Sequence, residues 1–142
     1  MHPAKPSLGL NKVFKKNRTS IPNLGTLMKA TFIELPAFER LRATYLDDMS
    51  FRRLQEEMMK NPQAGDVMQD TGGLRKLRFA DERRGKGKSG GLRVIYFFKV
   101  AADQFWLFAI YDKDEADDLG PDQRKMLKQR LDAEIKARSA KQ

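Results

Sequence analysis

Apolar positions recur first at helical and then at strand spacing along this chain. Pro36 opens a helical pattern in which Phe38, Leu41 and Tyr45 fall at i, i+3 and i+7 on one face. Ser50 is the predicted N-cap of a second helix, where Phe51, Leu54 and Met58 repeat the spacing, and Asn61-Pro62 ends it. The link Asp47-Asp48-Met49 makes the two a helical hairpin, whose apolar faces need a partner surface. The strands supply it. Leu74–Phe79 alternates, with Leu77 and Phe79 on one side and Lys76 and Arg78 on the other. Leu92–Val100 is apolar almost throughout, as expected of a central strand covered on both faces. Ala101-Ala102-Asp103 is a hairpin-length connection to Gln104–Tyr111, and Thr31–Glu34 reads as an added strand. Gly120-Pro121 starts a last helix lined by Leu127, Leu131 and Ile135. The predicted fold class is α+β: two N-terminal helices packed on a small antiparallel sheet, with a C-terminal helix.

Residues 1–27 stand apart. They carry Lys5, Lys12, Lys15, Lys16 and Arg18, no acid, and three prolines and two glycines that break any period. This stretch reads as a flexible basic extension before a domain spanning 28–142. Either Met28 is the natural start, or the extension grips RNA or a partner.

Composition narrows the chemistry. The chain has no cysteine, so disulfides, thiol catalysis and thiolate metal sites are excluded, and a cytoplasmic setting is the default. No apolar run is long enough to span a membrane, and without a continuous apolar stretch near Met1 a secretory signal is not expected. The one histidine, His2, lies in the basic extension, which argues against histidine catalysis and histidine metal sites. The acids Asp112, Asp114, Glu115, Asp117 and Asp118 match no calcium-loop spacing and read as a solvated loop. No cofactor is expected. A net charge of +9 points to a polyanionic partner.

That charge is concentrated. Residues 71–93 hold eight basic residues (Arg75, Lys76, Arg78, Arg83, Arg84, Lys86, Lys88, Arg93) against Asp81 and Glu82. Four glycines make the middle a loop whose backbone can approach phosphates, and cations from two adjacent strands converge at its base. Gly87-Lys88-Ser89 resembles the end of a P-loop, but the required leading glycine falls at Glu82. RNA cleavage without metal or histidine fits this set. A 2′-hydroxyl attacks the adjacent phosphate, and the enzyme aligns it, takes its proton and neutralises the phosphorane. Arginine suits the last task because it stays charged and grips phosphate through two parallel hydrogen bonds. Lysines exchange protons, and Tyr96 or Tyr111 assists by hydrogen bonding or stacking.

Four segments in order carry a family resemblance: Asn61-Pro62 with Gly65-Asp66-Val67; Thr71-Gly72-Gly73-Leu74-Arg75-Lys76-Leu77-Arg78; Gly85 to Tyr96; and Ile110-Tyr111-Asp112-Lys113-Asp114-Glu115 with Asp118-Leu119. Over residues 31 to 135 the chain resembles the RelE/HigB-like toxins of type II toxin–antitoxin modules, on the HigB branch related to phage proteins. The resemblance implies a ribosome-dependent mRNA endonuclease (an mRNA interferase) that cuts translated mRNA in the A site without metal and so inhibits translation. Its implied partners are the ribosome, mRNA and a cognate antitoxin, a helix-turn-helix protein encoded nearby. Arg93, Lys76, Arg78 and Lys113 are the implied catalytic residues; Lys86, Lys88, Arg75, Arg84 and Tyr96 are candidate RNA contacts. The family often has Lys-Asn-Glu where this chain has Lys113-Asp114-Glu115, and the general base stays open. The alternative is a non-catalytic basic RNA- or DNA-binding module, or an inactive phage-derived relative, using the same loop through counterion release.

Overall fold

A computed structural model describes residues 19–22, 29–81, 85, 87, 91–114 and 119–140. Its elements are β1 (Thr19–Pro22), β2 (Lys29–Glu34), α1 (Pro36–Tyr45), α2 (Asp48–Lys60), β3 (Asp66–Val67), β4 (Arg75–Phe79), β5 (Leu92–Lys99), β6 (Gln104–Asp112) and α3 (Pro121–Ala140). The architecture is α+β, with two N-terminal helices, one sheet and a C-terminal helix. The sheet runs β1-β2-β6-β5-β4-β3. It is mixed rather than antiparallel: β2 lies parallel to β6, with Thr31 opposite Gln104 and Glu34 opposite Leu107, and the other pairings are antiparallel. Periodicity sets which face a residue takes but not the direction of a pairing between strands so far apart in sequence. Thr19–Pro22, inside the segment read as a flexible extension, pairs with β2. Residues 1–18 and 23–28 lie outside the described residues.

The helical hairpin forms as its spacing predicts, with one change of cap. Pro36 occupies the first turn of α1. Asp47, not Ser50, caps α2: its side chain accepts the Ser50 amide at 2.8 Å, so the helix starts one residue after Asp47 and Ser50 is buried in its first turn. Phe38, Phe51, Leu54 and Met58 are buried against Phe32, Leu77, Phe79, Val94 and Leu107 on one side of the sheet. The other side is covered by α3, where Leu131 is buried among Ile33, Leu74, Ile95, Trp106 and Phe108, with Leu119 and Leu127 at the margin. Ile135, expected on this seam, is 36% exposed; Arg138 instead lies over Trp106, its guanidinium carbon 4.7 Å from the ring centroid.

Two turns explain motif residues. Thr71 is buried, donates to Met68 O at 2.8 Å and accepts from Leu74 N at 3.2 Å, closing the β3–β4 connection. Gly72 and Gly73 follow at φ 81° and 118°, where a side chain is strained. In β6 the register skips Phe108, so Phe108 and Ala109 both belong to the α3 side and alternation resumes beyond them. Among the described residues no helix is long and apolar enough to cross a membrane.

Candidate active site

Alternation sorts the central strands into two faces. Leu77, Phe79, Leu92, Val94 and Ile110 face the α1–α2 hairpin, which sends Lys76, Arg78, Arg93, Ile95 and Tyr111 to the face that carries α3. On that face Arg78 of β4, Arg93 of β5 and Tyr111 of β6 are register partners in one row. Directly opposed residues on neighbouring strands have Cβ atoms about 4.5–5.5 Å apart, and like charges so placed repel. Arg78 is exposed, whereas Arg93 is only 5% exposed and donates from Nη1 to Leu92 O at 3.1 Å. Lys76, half-buried, is opposite Ile95 one step along the same face.

The end of the sheet is tied together at Gly91. The Lys113 amide donates to Gly91 O at 3.1 Å, bringing the turn after β6 to within two residues of Arg93 in sequence. A Cβ on Gly91 would lie 2.6 Å from Phe79 O and 2.9 Å from Asp81 N, so only glycine lets these backbones meet. Asp112 belongs here too. It was expected in a solvated loop, yet it is 3% exposed, because it is still part of β6, opposite Leu92. Its Oδ1 accepts the Asp114 amide at 2.9 Å and shapes the turn that presents half-buried Lys113. Among the described residues no group of three acids or histidines is placed to hold a metal ion.

No protein-family model matches the chain. What the row can do is therefore set by its chemistry. Arg78 and Arg93 are opposite each other in register, and guanidinium N–H donors suit the oxygens of a phosphodiester.

The remaining predicted residues separate from this row. Tyr96 is fully buried in the core on the α1–α2 side; its hydroxyl donates to Pro62 O at 2.8 Å and accepts the Gly65 amide at 3.0 Å, so it offers no face for stacking on a base. Burial pushes its phenol above the ordinary value, against the opposing pull of the Gly65 amide and the Arg75 charge, so it stays protonated near neutral pH. Arg75, opposite Tyr96, donates to Gly65 O at 2.8 Å and Gln63 O at 3.2 Å. Both residues thus bind the chain's own loop. Arg84, Lys86 and Lys88 lie outside the described residues. Tyr111, which sequence left level with Tyr96, is the tyrosine on the cationic face. An even offset along its own strand would have found it only once the pairing of β5 with β6 was known.

Proposed function

We propose that this protein is a RelE/HigB-like toxin: a ribosome-dependent endoribonuclease that cuts translated mRNA in the A site, held in check by an antitoxin. The observation that carries this reading is the register pairing of Arg78 with Arg93 on one sheet face, with Lys76 one step along. Guanidinium groups suit a phosphodiester because each donates two parallel hydrogen bonds to its oxygens. In the reaction a 2′-oxygen attacks the adjacent phosphorus, its proton passes to a base, and the 5′-oxygen leaves with a proton from an acid. Arg93 stabilises the charge that builds on the phosphorane, Arg78 orients the phosphate, and Lys76 and Lys113 exchange the protons. Such weak acids and bases gain from a substrate bent into position beforehand, which the ribosome provides. The ribosome as host places the protein in the cytoplasm. The partner in this reading is an antitoxin, a helix-turn-helix protein encoded nearby.

The test is cell-free translation of a defined mRNA with cuts mapped by primer extension. Wild type is expected to cut within translated codons only when ribosomes are present. Arg93→Ala, shown to be folded by circular dichroism, is expected to cut at least about 100-fold more slowly. An Arg93→Ala protein that still cuts at the wild-type rate would sink the assignment. A second reading, a non-catalytic RNA- or DNA-binding module, draws on the burial of Arg93, which leaves exposed Arg78 as the more accessible charge. Under that reading each lysine or arginine removed weakens binding by a similar step, and no RNA is cut.

A further inference from the structure

Between α2 and β3 the chain passes through Asn61–Gly65, and three contacts fasten it. The Tyr96 hydroxyl bridges Pro62 O and Gly65 N, at 2.8 and 3.0 Å. Arg75 Nη1 reaches back to Gly65 O and Gln63 O, at 2.8 and 3.2 Å. Gly65 itself is pressed so closely onto the sheet that a Cβ there would lie 2.9 Å from Tyr96 Cε1 and 3.1 Å from the Lys76 carbonyl carbon. The loop therefore touches β5 through Tyr96 and β4 through both Arg75 and the Lys76 backbone. This matters because β4 has little else on its outer side. β3 pairs only with Arg75 and Lys76, and among the described residues no strand continues beside Arg78.

We propose that Arg75 and Tyr96 are positioning residues: by locking the 61–65 loop against β4 they hold Lys76 and Arg78 in line with Arg93. This role rests on the nuclease reading above. The two side chains lie on the opposite side of the sheet from the cationic row and touch no substrate. They act through the backbone of β4, whose residues alternate between the loop's side and the row's side.

Tyr96→Phe keeps the ring in the core and removes only the hydroxyl bridge. It is expected to lower the rate of cleavage at saturating ribosomes about ten-fold, since displacements near 1 Å are enough for losses of that size or greater. The enzyme concentration giving half-maximal cutting is expected to stay near the wild-type value, because the row's charges remain. Amide exchange across β3 and β4 should rise while that of β6 stays unchanged. In an Arg78→Lys background, which retains a charge at that position, the same substitution should have a smaller effect, because the residue it positions is already altered. Gly65→Ala, which keeps the hydroxyl but pushes on Tyr96 and Lys76, should reproduce the rate loss. If folded Tyr96→Phe or Gly65→Ala cuts at the wild-type rate, or if Tyr96→Phe and Arg78→Lys act independently, the two residues serve stability alone and the proposal falls. If wild-type protein makes no ribosome-dependent cut, the nuclease reading falls first and takes this role with it.

Discussion

Glu34 shows how one carboxyl reports on its surroundings. It ends β2 with its side chain almost wholly buried, and its Oε1 accepts from Arg42 Nε at 2.8 Å. Burial pushes its pKa above the ordinary value; the Arg42 hydrogen bond and charge oppose that shift without cancelling it. A carboxyl that holds its proton more tightly when folded contributes stability that is complete below its unfolded pKa and is lost as pH rises through the folded one. Glu34→Gln keeps an acceptor for Arg42 and removes the titration. Urea midpoints of the two proteins should therefore shift in favour of the glutamine variant between about pH 4 and about pH 7. A constant difference across that range would mean that Arg42 offsets the burial completely. At this scale much was legible in sequence. Lys76 and Arg78 share a face because they are two apart; the odd spacing of Tyr96 from Arg93 parts it from the row, against its expected place among the RNA contacts. The burial of Arg93 and Asp112 was not legible, because it depends on which backbones converge at Gly91.

Among the elements, α3 meets the sheet through few apolar side chains. Leu131 is its fully buried side chain, with Leu127 partly covered and Arg138 over the indole of Trp106. Leu131→Ala is expected to destabilise the protein by about 2–5 kcal/mol. Trp106 is the chain's only tryptophan, so its emission in a urea titration follows the loss of this packing directly. A cost below about 0.5 kcal/mol would show that the helix is held by its charged contacts instead. The junction at Gly91 makes a sharper case. Gly91→Ala puts a methyl group against backbone atoms of Phe79, Asp81 and Gly87 and should cost about 1–3 kcal/mol, seen as a lower thermal midpoint. The helices and the three antiparallel strands were readable because each carries its own period and punctuation. The cap of α2 was misread because Asp47 and Ser50 are both good capping residues, and only Asp47 precedes the first helical turn. The place of β2 was beyond a local reading, since its neighbour β6 is distant in sequence.

For the whole molecule, a charge of +9 makes any grip on RNA depend on salt. Binding to a short RNA with 2′-O-methyl sugars, which cannot be cut by 2′-hydroxyl attack, should weaken steeply between about 50 and 200 mM salt. Arg78→Ala should reduce the slope of log affinity against log salt by about one, the signature of one lost phosphate contact. An unchanged slope would remove Arg78 from the RNA-facing surface. Total charge was the easiest quantity to read from sequence, and it discriminates least: it serves a nuclease and a passive binder alike. The row across β4, β5 and β6, on which the proposed nuclease rests, exists only after three strands have paired.

The parallel pairing of β2 with β6 has a consequence in time. During synthesis β2 emerges early, but the strand it must lie beside is made about 70 residues later, several seconds on at about 5–20 residues per second. Until then the nascent chain holds Arg78 and Arg93 without the Tyr111 strand that completes their row. The row on which the proposed nuclease rests therefore cannot form until β6 has been made.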